Sequence, residues 1–169
     1  HGNIVATLSL REAHEMSAGG ASILIIDDDA AVSRTLSLIL TRAGYRVSTV
    51  NNGRKGLEML SDGEFDLVLT DIIMPELDGI EATRLLAGPG VDDPLAVIVI
   101  TTFDLDEYVH EALKAGARGF LLKDAGPELL GQAVRAAANG EALIAPNITV
   151  RLLAAFADAP TSAPPAQPV

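Results

Sequence analysis

Five side chains in this sequence stand at the ends of short apolar runs and could do chemistry together. Asp27 and Asp28 follow Ser22–Ile26, Asp71 follows Asp66–Thr70, Thr101 closes Leu95–Thr101, and Lys123 follows Gly119–Leu122. Carboxylates gathered in one cleft repel each other and resist ionisation. A hard divalent cation removes that cost, and Mg2+ suits two carboxylates, a carbonyl and waters. A carboxylate can accept a phosphoryl group as nucleophile when a metal orients the donor and neutralises its oxygens. Asp71 leaves a buried run into a Pro75-containing loop, and Lys123 is a point charge suited to a phosphoryl oxygen. Asp29 and Asp78 read more simply, as caps of the helices that follow them. Alone, Thr101 is an ordinary strand residue and Lys123 a solvated one. Their joint order, two acids, an acid, a hydroxyl and a lysine, is what carries the chemistry.

Such groups meet only if the runs that precede them lie side by side. The runs Ser22–Ile26, Arg46–Val50, Asp66–Thr70, Leu95–Thr101 and Gly119–Leu122 alternate with helical patterns. Several are near-continuously apolar, as strands covered on both faces must be. Val32, Leu36, Ile39, Leu40 and Ala43 share one face of the first helix, and Leu105, Tyr108, Val109, Ala112 and Leu113 one face of the fourth. Gly44 and Gly116 end those helices. Leu129, Leu130, Ala133, Val134 and Ala137 mark a fifth, ended by Asn139-Gly140. Five βα units in succession predict an α/β fold, a doubly wound five-stranded parallel sheet with its site beyond the carboxyl ends of the strands. A further amphipathic helix follows, with Ile148, Leu152, Ala155 and Phe156 on one face.

Composition narrows the class. The 169 residues carry 12 basic and 23 acidic side chains, a net charge of −11, with no cysteine. That balance argues against nucleic acid or anionic membrane as a direct partner. The missing cysteine excludes disulfides, thiolate metal sites and a thiol nucleophile. No apolar run approaches a membrane span and no leader pattern opens the chain, so a cytoplasmic domain is expected. Residues 1–21 read as an extension, partly derived from cloning, and 22–139 as the folded domain. Residues 140–158 read as a linker with its helix, and 159–169, holding Pro160, Pro164, Pro165 and Pro168, as a disordered tail.

The segments Ile23-Leu-Ile-Ile-Asp-Asp-Asp29, Asp71-Ile-Ile-Met-Pro-Glu-Leu-Asp-Gly79, Ile100-Thr101 and Gly119-Phe-Leu-Leu-Lys123 together resemble a two-component response-regulator receiver domain of the CheY-like kind. The resemblance covers about residues 22–139. It implies a flavodoxin-like sheet of strand order 2-1-3-4-5, and Asp71 as acceptor of a phosphoryl group from a histidine kinase. It further implies Asp28 and Asp71 as direct Mg2+ ligands, Asp27 as a ligand through water, and the Ile73 main-chain carbonyl completing the set. Lys123 resembles the lysine that pairs with the phosphoryl group, Thr101 the switch hydroxyl, and Phe120 the aromatic whose rotamer follows it. Ile73 and Phe103, two residues past the acceptor and two past the switch threonine, take positions that govern how long the phosphoryl group survives.

The second half is similar to regulators with a LuxR-type helix-turn-helix output. This implies transcriptional control, homodimerisation on phosphorylation, and contact with DNA only through an output domain that residues 147–169 are too short to form. Two features depart from the pattern: Asp124 follows the lysine where many receivers have proline, and Arg46–Gly53 has the texture of winged-helix-type regulators. The domain is expected to signal and not to act as an enzyme on other substrates. Three rivals stand beside this reading, one of them a flavodoxin-like or dinucleotide module, whose phosphate Asp27–Asp29 would repel unless a metal intervened. A haloacid-dehalogenase-type phosphohydrolase would want Asp-x-Asp followed by Thr or Val, whereas Ala30-Ala31 follow here. A pseudo-receiver binding module would not need all five groups.

Overall fold

The computed structural model describes residues 20–102 and 106–158. Six strands and six helices follow one another: β1 (Ser22–Ile26), α1 (Ala30–Arg42), β2 (Arg46–Val50), α2 (Gly53–Asp62), β3 (Leu67–Thr70), α3 (Gly79–Ala87), β4 (Ala96–Thr101), α4 (Asp106–Lys114), β5 (Gly119–Leu122), α5 (Pro127–Ala138), β6 (Leu143–Ile144) and α6 (Pro146–Asp158). The strands form one sheet of order β2-β1-β3-β4-β5-β6, every neighbouring pair parallel. The expected five-stranded sheet is therefore corrected to six: Leu143 and Ile144 pair with Gly119 and Phe120 beyond β5. Among the described residues no helix is long and apolar enough to cross a membrane.

Side-chain alternation along β1 shows why the helices lie on both faces. Ile23 and Ile25 point into a cluster with Leu36 and Leu40 of α1 and Leu130 and Val134 of α5. Leu24 and Ile26 point the other way, into a cluster with Met59 and Leu60 of α2 and Leu86 of α3. All four β1 side chains are essentially inaccessible to water, and each such burial contributes about 1.5–3 kcal/mol. β3 and β4 are buried along their whole length, while the edge strand β2 is only half-buried.

Helix starts follow the side chains that can satisfy free amides. Asp29 accepts from the amides of Ala31 and Val32, Asn52 from Lys55, and Asp78 from Glu81. Each such cap stabilises its helix by about 1 kcal/mol. α1 ends in Gly44 and α4 in Gly116, both at positive φ. At Gly116 (φ 108°) a Cβ would also lie 2.2 Å from the Ala87 carbonyl oxygen, so glycine is required twice over. The buried stripe of α1 runs through Ser33, Leu36 and Leu40 with Val32 and Ile39 half-buried, while Ala43, expected on that face, is exposed at the C-cap. Leu105 of the expected α4 face lies outside the described residues; Val109 and Ala112 are buried and Tyr108 and Leu113 half-buried.

The two rims of the sheet differ. At the amino ends of the strands the chain turns through Gly44 and Gly116, and backbone pairs such as Asp66 N–H to Ser22 O (2.8 Å) and Arg46 N–H to Ala21 O (2.9 Å) close the loops. The carboxyl ends carry the charged groups.

Candidate functional site: an acidic pocket bridged by a lysine

The sheet's hydrogen bonding runs one residue past the strands at this rim. The amide of Asp27 donates to Val50 O (3.1 Å), that of Asp71 to Ile26 O (3.0 Å), and that of Lys123 to Thr101 O (3.0 Å). Asp27, Asp71 and Lys123 are thus anchored to neighbouring strands and do not sit on free loops.

Their side chains converge. Lys123 Nζ lies 2.8 Å from Asp71 Oδ2 and 2.9 Å from Asp27 Oδ2. The remaining oxygens are held by the backbone: Asp71 Oδ1 accepts from the Ile72 amide (2.7 Å) and Asp27 Oδ1 from the Asp29 amide (2.8 Å). Asp27 and Asp71 are buried and Asp28 is exposed, yet ligand atoms of all three lie within 4.8 Å of one another. Three carboxylates against one ammonium leave two negative charges in excess, which a divalent cation cancels. The oxygen-only donor set and its spacing fit Mg2+.

Burial holds the Asp27 carboxyl above its usual range, and the neighbouring charge of Asp71 adds to this, although the Asp29 amide and Lys123 pull the other way. For Lys123, burial alone would favour the neutral amine. The hydrogen bonds and charges of Asp71 and Asp27 outweigh it and hold the ammonium above its ordinary value.

The loop after Asp71 is clamped. Thr70 Oγ1 donates to Asp71 O (2.9 Å), the Gly79 amide to Ile72 O (2.8 Å), and Thr83 Oγ1, buried in α3, to Gly79 O (2.6 Å). Gly79 lies so close to the Asp71 carbonyl that no larger residue fits. Behind Asp27, Ser33 Oγ donates to its carbonyl oxygen (3.4 Å). Sequence reasoning did not single out Thr70, Thr83, Gly79 or Ser33 as supports. Asp78 read only as a cap, because bonds from these residues to main-chain carbonyls leave no mark on the apolar pattern.

Of the residues singled out in the sequence, the structure brings together Asp27, Asp28, Asp71 and Lys123. Thr101, fully buried, is the last residue of β4 and pairs with Leu122 beside Lys123. Phe120 is fully buried in β5, in register with Val99 on one side and Ile144 on the other. Ile73, two residues past Asp71, is 45% exposed. Phe103 lies outside the described residues.

Comparison with known proteins finds relatives of the same fold. The transcriptional regulatory protein YdfI of Bacillus subtilis is 34% identical over 132 residues, covering 77% of this chain and 61% of the relative. The chemotaxis protein CheY of Thermotoga maritima is 35% identical over 116 residues, covering 68% of this chain and 95% of CheY. A two-component response regulator of the LuxR family from Aurantimonas superimposes with a TM-score of 0.74 at 26% identity, over 82% of this chain and 99% of that one. The chain thus spans less than two thirds of YdfI and a quarter or less of the ZraR regulators that it also matches. The response regulator receiver domain family matches residues 23–135, and the chain belongs to that family.

Proposed function

We propose that this receiver takes a phosphoryl group onto Asp71 from the phosphohistidine of a histidine kinase and so controls transcription. The observation that carries the reading is the Lys123 ammonium bridging Asp71 and Asp27. It puts a fixed positive charge where the new phosphoryl oxygens would form, beside a carboxylate held on a rigid strand end.

In the transfer, an Asp71 carboxylate oxygen bonds to phosphorus as the P–N bond to the kinase histidine breaks, and the imidazole departs as the leaving group. Lys123 stays paired to the transferred oxygens. When bound by Asp28, Asp71 and the Ile73 carbonyl, with Asp27 acting through water, Mg2+ would neutralise those oxygens and orient the donor. Thr101 then turns its hydroxyl to the phosphoryl group and Phe120 follows, shifting a two-state equilibrium. The domain works as a signalling module of the cytoplasm that catalyses only its own phosphorylation and dephosphorylation. Dimerisation is its readout, and DNA is reached through an output domain. Support for a transcriptional role comes from the names of YdfI and the LuxR-family neighbour.

Mass spectrometry after incubation with a small acyl phosphate and Mg2+ tests this. One acid-labile phosphoryl adduct on Asp71 is expected; an adduct elsewhere, or none, would overturn the assignment.

A further inference from the structure

The sheet beside the site does not end at β5. Beyond the β5–β6 pairing, the Leu143 amide donates to Arg118 O (2.9 Å) and the Ala145 amide to Phe120 O (3.1 Å). Ala145 and Ile148 are buried, and they join the same apolar cluster as Phe120 and as Val109 and Ala112 of α4. Leu152 packs against that cluster. Arg151 then reaches across to Asp106 in the first turn of α4, with Nη2 2.7 Å from Oδ1. The segment Leu143–Leu152 therefore grips both elements next to Thr101 and Phe120: β5 through its backbone, and α4 through apolar packing and an ion pair.

From this we infer that β6 and α6 form a strap that holds α4 and β5 in the unphosphorylated arrangement, and that phosphorylation of Asp71 unseats it. The inference rests on the acceptor role given to Asp71 above and on the turn of Phe120 proposed with it. Phe120 has no exposed surface, and a close-packed interior has no void to take a turning ring, so something around it must yield. β4 on one side is buried along its whole length. The strap on the other side is less deeply buried. β6 has two residues, Val150 and Leu153 on the outer face of α6 are 67% and 64% exposed, and the Arg151–Asp106 pair is open to water. Solvent-exposed pairs stabilise little, and the unit with fewest buried contacts opens first. Coupling is reciprocal, so loosening the strap favours the rearranged state of α4 and β5 in turn.

Hydrogen exchange on the full chain, with and without an acyl phosphate and Mg2+, tests this, with intact mass read from the same samples. In the phosphorylated fraction the amides of Leu143–Leu152 should exchange about tenfold faster or more, while those of β3 stay protected. An adduct on Asp71 with unchanged exchange in that segment would overturn the strap and leave the acceptor role standing. Absence of the adduct would overturn the acceptor role and the strap with it. Ile148→Ala, studied without a phosphodonor, should speed exchange in α4 and β5 as well as in α6. Should that variant fail to fold, Arg151→Ala serves in its place, with the same spread expected on a smaller scale. Acceleration confined to α6 would rule out the mechanical link.

Discussion

A Cβ placed on Gly79 would lie 1.8 Å from the carbonyl oxygen of Asp71. Two elements, the start of α3 and the loop after Asp71, therefore touch backbone to backbone. The contact is fixed from both sides by the Gly79 amide on Ile72 O and by Thr83 Oγ1 on Gly79 O.

Gly79→Ala should force that contact open. Overpacking of this kind costs about 1–3 kcal/mol, and the displacement falls on the loop after Asp71. Denaturant melts should show the lost stability, and Mg2+ titration should show weaker binding than in the wild type. Unchanged Mg2+ affinity would mean that the loop moves without disturbing the carboxylates.

Asp71→Asn should abolish phosphorylation while the fold persists. The amide keeps the shape of the side chain and can still accept from Ile72, but it is no nucleophile and a poorer Mg2+ ligand. Lys123 retains Asp27 as its partner, so no buried charge is stranded. Intact mass and thermal melts on one preparation check both halves; Mg2+-dependent labelling surviving in the variant would move the acceptor elsewhere.

Asp27 should make metal-free stability depend on pH. Its carboxyl is held above the usual range, first by burial, so the folded state favours the protonated form. The stability from this preference is fully present below the ordinary value of 3.8 and is lost as pH rises through the folded value. In chelator, Asp27→Asn should therefore melt higher relative to wild type at neutral pH than it does in strong acid. A gap that stays constant with pH would show that Asp27 titrates alike in both states. Lys123, also raised, works at the far end: its contribution holds below 10.5 and fades as pH climbs through its folded value.

Ile73 bears on lifetime. It is apolar, 45% exposed and two residues past Asp71, so it can shield an aspartyl phosphate but cannot orient an attacking water. Replacing Ile73 with Asn and Phe103 with Glu should speed loss of the phosphoryl group about tenfold, a barrier change of about 1.4 kcal/mol. Decay can be followed by release of inorganic phosphate, and an unaltered rate would remove these side chains from the kinetics.

What the sequence shows plainly is local chemistry. Asp29 and Asp78 as caps, Gly44 and Gly116 as helix ends, and the five longer strands each depend on neighbours in the chain, and the structure has them so. The convergence of Asp27, Asp28, Asp71 and Lys123 also follows, since parallel strands in one sheet bring their carboxyl ends to one rim. β6 escaped because an apolar pair between Ala142 and Ala145 has no period to read; it is a strand only because β5 offers it an edge. Ala43 fell off the expected stripe of α1 because the helix ends at Arg42, and buried Ser33 was missed because its bond to the Asp27 carbonyl is one that hydrophobicity does not register. The clamp on the loop after Asp71 spans one to seven residues and joins polar groups to carbonyls, so the apolar pattern along the chain does not record it.

The division between the two rims of the sheet has a bearing on how such a domain can change over time. The groups that set chemistry stand at the carboxyl ends, while the glycine turns and backbone pairs at the amino ends, Gly44, Gly116 and Asp66 among them, serve only to close the fold. Substitutions at one rim can alter the charged pocket without touching the other, and losses of stability at the far rim can be compensated there. The chemistry of the pocket and the robustness of the fold can therefore drift separately.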